Sequence, residues 1–338
     1  MAHELTTRKN GKVEMADMGD TPWHGLGQLV TQGASIGVWQ KEAGMDWEAR
    51  QAAVQFGIPN LITQESKNHV VPSHKVIYRS DTEEPLSVMG AGYEIVQPKA
   101  VLEFFRDLTE QGGWHIHTAG TLRGGRKLWA MATNGNRSNV VKGDPVENHL
   151  LLATSLDGSM KTTAMLTSVR VVCANTLAMA LAGAGNTVSI SHRSVFDPQT
   201  IKRALGVARP AFEAFIEQAK QMADTPVALD EALGVLRKVF GSAPVPAIDL
   251  SWMKLGDTLP PEVDEIRDTR ATERVLELFA GAGRGATLKG VAGTRWGLLN
   301  AVTEYVDHEM GRSLDTRLDN AWFGRGNATK QKALELLV

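Results

Sequence analysis

Short runs in which hydrophobic and polar residues alternate occupy the middle of the chain. Such alternation is typical of strands that bury one face. The runs that predict strands are Lys75–Arg79, Leu86–Gly90, Trp114–Gly120, Leu128–Ala132, Leu150–Thr154, Lys161–Leu166 and Thr187–His192. Because Arg123-Gly124-Gly125-Arg126 separates two of them, we expect a β-hairpin whose turn carries cations. Residues 134–144 are polar and predict a loop.

Hydrophobic residues recur at helical spacing elsewhere, mainly towards the C-terminus. A short helix is expected between Val30 and Arg50, with Asp46 as its cap. Other helical patterns begin at Pro98, Ser168, Ile201, Pro226, Trp296 and about Asn327, and one ends at Phe279. The pattern that begins at Ser168 runs to Ala182. Strands come first and helices after, which predicts an α+β fold, with an antiparallel hairpin sheet packed by helices and followed by a helical region, rather than a doubly wound sheet.

Changes in composition along the chain predict its domain organisation. The opening is polar and charged, and the stretch after Phe240 is rich in proline and glycine. We expect a flexible N-terminus at 1–22, an α+β core at 23–195, a helical extension at 196–240, a linker at 241–261 and a helical C-terminal region at 262–338.

The overall composition excludes several classes of protein. The 338 residues include 43% hydrophobic and 22% charged residues, as in an ordinary globular protein. No apolar run reaches the roughly 18 residues that span a bilayer, and the opening lacks the apolar core of a signal peptide. A single cysteine excludes an internal disulfide framework and a multi-cysteine zinc site. We therefore expect a cytoplasmic protein with no membrane partner.

Charge is distributed unevenly although the net charge is only −2. Eleven basic and four acidic residues lie between Thr121 and Pro210, so this stretch carries +7 and the rest of the chain carries −9. A basic segment within an acidic protein favours a localised anion-binding face. The alternative is that these charges are spread over a solvated surface.

Two patterns suggest chemistry but also have simpler structural explanations. Cys173, with His149 or His192 as a base, would make a nucleophilic pair, but on the apolar face of a predicted helix cysteine behaves as a small hydrophobe. His115 and His117 share one face of a predicted strand, a spacing that suits a metal. No third ligand is identifiable, so a polar sheet face is the preferred interpretation.

The glycine-rich stretch Gly281–Gly285 lacks the Gly-Lys-Ser/Thr ending of a phosphate loop, and no apolar strand precedes it. It predicts a turn between helices. No motif for catalysis is recognisable, and we expect a protein that is not an enzyme, has no catalytic or metal-binding residues and needs no cofactor.

The predicted hairpin offers the strongest binding pattern. Clustered cations neutralise phosphates, and an aromatic ring beside them stacks on bases. The candidate nucleic-acid-binding residues are Arg123, Arg126, Lys127, Lys161, Arg170 and Trp129, with Trp114 as a second stacking residue. The alternative is that both tryptophans belong to the core and the cations only solubilise the turn.

Three segments resemble a family that phages and plasmids carry, known as domain of unknown function 932. They are Trp23–Gly27, Thr167–Leu177, and Thr294–Gly297 together with Asn300–His308. The resemblance extends over nearly the whole chain. It implies a protein of a bacterial mobile element and leaves the activity open.

The order of elements from Pro98 to Ala182 also resembles the core of single-strand annealing recombinases. Gly113-Trp114 after a helix, the turn Asp157-Gly158-Ser159 and the basic positions around the hairpin carry this likeness. It implies rings or filaments of identical subunits that hold single-stranded DNA in a basic groove. Few aromatic residues near the basic turns, and a final helix whose one cation is Arg170, depart from that pattern.

Three functions therefore stay open. The first is a homo-oligomeric protein that binds and anneals single-stranded DNA without nucleotide hydrolysis. The second is a non-enzymatic mobile-element protein that binds a host or phage protein through its acidic C-terminal half. The third is an enzyme that uses the face of His115 and His117. The first is preferred because it combines the basic hairpin with the resemblance.

Overall fold

The strands of the chain form two separate sheets and a short two-stranded pair in the computed structural model of the protein. The structure describes residues 6–8, 10–18, 27–59, 66–111, 113–170, 175–178, 187–200, 208–243, 267–311 and 314–338. The strands in these residues are β1 Met15–Asp17, β2 Gln28–Leu29, β3 Ala49–Pro59, β4 Ser66–Arg79, β5 Pro85–Gly90, β6 His115–Leu122, β7 Lys127–Asn139, β8 Pro145–Ser155, β9 Thr162–Arg170, β10 Asn175–Ala178, β11 Thr187–Ile190, β12 Ser242–Ala243 and β13 Arg267–Asp268.

The larger sheet has eight strands in the order β10-β9-β8-β7-β6-β1-β2, and β11 also pairs with β9. All of its pairings are antiparallel except that of β1 with β2. The expected hairpin is present as β6 and β7, although β7 runs to Asn139 and so occupies half of the predicted polar loop. The strands together with the helices confirm the α+β fold class.

The N-terminal segment contributes to this sheet. Residues Met15–Asp17 are buried and pair with Thr118–Gly120 of β6. The prediction of a flexible N-terminus over residues 1–22 is therefore wrong for β1. A strand of only three residues is too short to show an alternating pattern in the sequence. The other predicted domain boundaries stay predictions.

The predicted helix from Ser168 to Ala182 is also wrong for its described residues, whereas the strand predicted at Lys161–Leu166 is confirmed as the first part of β9. Residues Thr162–Arg170 form β9, and Asn175–Ala178 form β10, which folds back on its end. Every residue of β9 is buried, because both faces of this part of the sheet are covered. A strand buried on both faces loses its alternation, and its apolar run then resembles a helix. Cys173 lies outside the described residues.

The second sheet has three strands in the order β3-β4-β5. The sequence pattern predicted only the end of β4 and all of β5, whereas β3 is 11 residues long and β4 is 14. Beyond Ala49 no residue of β3 is buried, and the same holds for residues 67–76 of β4. These parts of β3 and β4 therefore form a ribbon that solvent reaches on both faces. We call residues 54–59 and 66–71, the distal part of this ribbon, the arm.

Helices cover the larger sheet. They are α1 Ile36–Glu42, α2 Pro98–Glu103, α3 Arg106–Gln111, α4 Ala208–Asp224, α5 Leu229–Phe240, α6 Arg270–Glu277, α7 Arg295–Glu304, α8 Leu314–Phe323 and α9 Arg325–Leu337. The expected helices after Pro98, Pro226 and Trp296 are confirmed, while α8 was not predicted. Ser35, rather than Asp46, caps the short helix α1. No helix in the described residues is both long and apolar enough to cross a membrane.

A buried ion pair attaches the C-terminal helix to the sheet. Lys330 of α9 donates to Asp307 Oδ1 over 2.7 Å and to the carbonyl oxygen of Thr176 in β10 over 2.6 Å. Asp307 Oδ2 accepts from the backbone N–H of Thr176 over 2.6 Å. Both charged side chains are almost fully buried. Burial lowers the pKa of Lys330, and the charge of Asp307 opposes that shift.

A second buried network joins the base of the three-stranded sheet to the eight-stranded sheet. Arg79 at the end of β4 holds Glu14, next to β1, through two hydrogen bonds of 2.7 and 3.0 Å. Its guanidinium group also contacts Asp81 over 2.8 Å and lies 4.3 Å from the ring centroid of Trp47. Thr121 of β6 donates to the same Glu14 carboxylate. Arg79 therefore links the end of β4 to the segment before β1 and, through Glu14, to β6.

Candidate nucleic-acid interface

Most of the cations predicted to bind nucleic acid have partners within the protein. The hairpin turn is a single turn of 3-10 helix, Arg123–Gly125. Asp319 of α8 accepts from Arg123 over 2.5 Å and also pairs with Lys127, which is only 6% exposed. Arg126 donates through Nε to the carbonyl oxygen of Leu86 over 3.0 Å. The turn therefore docks on α8 and β5 and does not present a free cluster of cations.

Two further predicted residues lie in the interior. Trp129 is 1% exposed and contacts the ring of Trp322 edge-on at a centroid distance of 4.9 Å. Arg170 is 3% exposed and donates to Asp144 over 2.6 Å. A base cannot stack on a buried ring, and a phosphate cannot reach a buried guanidinium group. The assignments of Trp129, Arg170 and Lys127 to nucleic-acid binding are therefore corrected: all three are parts of the core. Trp114 is partly buried.

Lys161 differs from the other predicted cations because it is exposed and lines a cavity. The cavity has a volume of about 760 Å³ and lies between the end of β5, the turn from β8 to β9 and the residues after β11. Arg193 is the other cation of its lining. Neither side chain has an ion pair within the described residues, and no acidic residue lines the cavity.

Glycines and two stacked rings shape this cavity. Gly90, Gly92 and Gly158 lie in its lining, so the backbone is accessible there. The rings of Tyr93 and His192 stack with centroids 4.5 Å apart. His192 Nδ1 lies 3.0 Å from the carbonyl oxygen of Glu94 and therefore donates to it.

Tyr93 is held in place by its hydroxyl group, which donates to the carbonyl oxygen of Ser155 over 2.7 Å. Burial, assisted by the charge of Asp157, raises the pKa of Tyr93 to about 12. The hydroxyl group is therefore neutral at physiological pH and stays a donor. The stacked pair is a rigid wall of the cavity.

The arm carries a second group of exposed side chains that suit nucleic acid. Phe56 is 51% exposed and stacks on His69 of the opposite strand, with ring centroids 5.3 Å apart and an angle of 20° between the planes. Ile58 lies opposite Lys67 in the same ladder. Residues directly opposite in a ladder share a face of the sheet. Phe56, Ile58, Lys67 and His69 therefore lie on one face, which we call the arm face.

The two strands that bear the arm face contain basic residues and no acidic ones. No aspartate or glutamate occurs in β3 or β4, whereas Arg50, Lys67, Lys75 and Arg79 do. Glu65 directly precedes β4 in the sequence. Lys67 and Lys75 have no ion pair within the described part of the chain. The cavity adjoins the base of this ribbon, because Met89 and Gly90 in its lining pair with Lys75 and His74. The alternation of hydrophobic and polar residues did not predict this surface, because that pattern identifies buried faces and the apolar side chains here are exposed.

The histidines of the eight-stranded sheet form a separate, buried group. His117 of β6 and His149 of β8 lie with ring centroids 5.1 Å apart. Desolvation by burial, followed by the neighbouring charge of His117, lowers the pKa of His149 to about 3. No set of three or more histidine, cysteine, aspartate and glutamate side chains in the described residues is placed to hold a metal. The arrangement suits a neutral imidazole inside the sheet.

We expect His149 to make folding stability depend on pH. Its pKa is depressed in the folded state, while the unfolded chain takes up a proton near pH 6.5. The unfolded state is therefore favoured as the pH falls from about 6.5 towards 3, and lowering the pH from 7 to 5 is expected to cost about 2 kcal/mol. Urea unfolding of the wild type and of His149→Leu over this range measures the difference. The control is His74→Gln at an exposed position, in which the free energy of unfolding should change with pH as in the wild type. If it also does so in His149→Leu, His149 is not the source of the pH dependence.

Comparison with known proteins identifies a family and no activity. The sequence matches the model of the family described as domain of unknown function (DUF932) over residues 85–333. No curated protein and no solved structure matches the chain. The match contains the cavity and two of the three resembling segments, whereas the arm and Trp23–Gly27 precede it. Because the match covers well over half of the sequence, the chain belongs to the DUF932 family.

Proposed function

We propose that the protein binds single-stranded DNA through the arm face. The observation that carries the proposal is the stack of the exposed Phe56 on the partly buried His69. It lies in two strands that contain no acidic residue and whose lysines have no ion pair within the described residues. Proteins that bind single strands without sequence preference combine a positive surface with aromatic rings on which bases stack. The arm face provides both on one side of a two-stranded ribbon.

The physical roles of the residues differ. The ring of Phe56 offers a stacking surface of a kind that contributes about 1–3 kcal/mol per base. Lys67, opposite Ile58, is placed to neutralise a phosphate of the same strand, and Lys75 extends the positive charge towards the base of the ribbon. The imidazole ring of His69 stacks on one face of the Phe56 ring. Binding of this kind needs no covalent chemistry and no nucleotide hydrolysis.

Annealing by a homo-oligomer, a ring or a filament, completes the proposal, and it rests on the resemblance to annealing recombinases. The proposed DNA-binding surface also includes Lys161 and Arg126, as cations near the base of the ribbon. The origin in a phage or another mobile element rests on the resemblance of the sequence segments. Sedimentation of the protein with and without an oligonucleotide tests the oligomeric state.

A protein partner is the second candidate function, and the exposed apolar residues of the three-stranded sheet favour it. Ile58, Val70 and Val88 are each more than half exposed. Apolar patches on an exposed ribbon also mark contacts with other proteins. The two functions differ in their dependence on charge, because only phosphate binding weakens steadily as salt is raised.

We expect Phe56→Ala to weaken binding of a labelled single-stranded oligonucleotide about tenfold, since one stacked base is lost. Lys67→Glu should weaken binding too and should lower the slope of log affinity against log salt by about 0.7 for the lost phosphate contact. Fluorescence anisotropy at several salt concentrations, with duplex DNA in parallel, measures both effects. The control Lys332→Glu makes the same charge change at an exposed position of α9.

Equal affinities of the wild type, Phe56→Ala and Lys67→Glu would contradict the role of the arm face. An equal loss with Lys332→Glu would show that only net charge matters. Absence of binding at low salt would overturn the proposal and favour the protein partner.

A further inference from the structure

The cavity beside the base of the ribbon has the chemical features of a site for a small anion with a planar body. Its volume of about 760 Å³ lies within the range of about 300–1,000 Å³ that small-molecule sites occupy. Two cations, Lys161 and Arg193, are the charged residues of its lining. An uncompensated pair of cations at the rim of a cavity attracts an anion.

The lining has a polar part and a mainly apolar part. Ser159 and Ser191 are hydroxyl-bearing neighbours of the two cations along the chain. Phosphate oxygens accept hydrogen bonds from ammonium, guanidinium, hydroxyl and backbone N–H groups. Gly158, with a φ of +72°, lies against the methyl group of Met89, which would be 2.6 Å from a Cβ atom there, so only glycine fits at this point of the lining.

The mainly apolar part of the lining suits a planar ring. Met89 and Met160 lie in the lining, and methionine adapts its shape to aromatic ligands. Tyr93 and His192 are nine-tenths or more buried, and their stacked rings are fixed by hydrogen bonds to Ser155 and Glu94. The acidic Asp157 is the neighbour of Gly158, and its Oδ1 already accepts from the N–H of Ser159 over 3.0 Å within the turn.

We propose that this cavity binds a nucleoside phosphate, with Lys161 and Arg193 on the phosphate and the two methionines and the Tyr93–His192 pair beside the nucleoside. The site goes beyond the proposed function, because it is a concave site for one nucleotide and lies apart from the arm face. The same chemistry has two sources, a free nucleotide or the phosphorylated end of a DNA strand.

Isothermal titration with adenosine 5′-monophosphate, adenosine and inorganic phosphate tests the proposal directly. We expect the nucleotide to bind at least about tenfold more tightly than either part alone, because the phosphate and the nucleoside contact different walls. Lys161→Gln and Arg193→Gln, both at exposed positions, should each weaken nucleotide binding about tenfold. Circular dichroism checks that the variants fold, and Lys332→Gln, at an exposed position of α9 outside both sites, is the control that should bind the nucleotide like the wild type.

Absence of binding at millimolar nucleotide would overturn the site. Adenosine binding as tightly as the nucleotide would overturn the role of the cations, and phosphate binding as tightly would overturn the role of the apolar wall. A 5′-phosphorylated oligonucleotide compared with its unphosphorylated form, in the Phe56→Ala background, distinguishes a strand end from a free nucleotide. Failure of this site leaves the arm-face measurement unaffected, so the two proposals are tested separately.

Discussion

Replacing Lys330 with methionine is expected to lower the free energy of unfolding by about 3–5 kcal/mol. The methionine fills a similar volume but leaves the carboxylate of Asp307 buried without its cation. Asp307 would keep its two hydrogen bonds from Thr176, which cannot neutralise its charge. The loss should be visible as a lower urea midpoint and a lower melting temperature.

The matched control is Lys332→Met, which makes the same change two residues along α9 at an exposed position. It should alter the stability by less than about 0.5 kcal/mol. Removing both charges in Lys330→Met/Asp307→Leu should recover part of the loss, because no unpaired charge is then buried. A Lys330→Met variant as stable as the control would refute the buried ion pair.

Arg79→Met is expected to cost a similar amount, about 3–5 kcal/mol, because Glu14 would lose its principal cation inside the protein. The hydrogen bonds to Asp81 and the Gly124 carbonyl oxygen and the contact with Trp47 would be lost as well. Despite the cost of desolvation, the hydrogen bonds to Asp81 and Glu14 raise the pKa of Arg79, so it is charged at any pH at which the protein folds. Urea unfolding measures the loss.

Arg50→Met is the control, since Arg50 is exposed in the neighbouring strand and, within the described residues, its ion pair is with the exposed Glu48 over 3.2 Å. A surface pair of this kind contributes about 0–1 kcal/mol. If Arg79→Met and Arg50→Met cost the same, the network does not stabilise the join between the sheets. The rate of proteolytic cleavage between β4 and β6 gives an independent check. It should be higher in Arg79→Met than in the wild type, because a ribbon that is detached from the eight-stranded sheet is cleaved more readily.

Two of the predicted helices, α2 and α5, bury one face at helical spacing, so their patterns are readable. The hairpin β6–β7 was predicted although most of its residues are buried, because a glycine-containing turn separates its two strands. β9 is buried on both faces and β3 is exposed on both faces. Neither of these strands has the period of two on which the prediction depends. The strand predicted at Lys161–Leu166 covers only the first part of β9, the end of β9 from Ser168 was assigned to a helix, and β3 was missed.

The partners of the predicted cations could not be read from the sequence, for a different reason. Lys127 and Arg123 were assigned to phosphates because they cluster in sequence, but both pair with Asp319, nearly two hundred residues later. A partner at that distance leaves no local trace in the sequence. Arg193 was one of the basic residues counted in the sequence, yet nothing near it showed that it would lie beside Lys161.

The place of β1 in the sheet has a consequence for synthesis of the protein. β1 lies between β2 and β6, and its ladder partner in β6 follows about a hundred residues later. At a synthesis rate of about 5–20 residues per second, β6 is made roughly 5–20 s after β1. During that interval β1 is present in the nascent chain while β6, one of its two neighbouring strands, has not been synthesised. The strands of this sheet therefore cannot pair in the order in which they are synthesised.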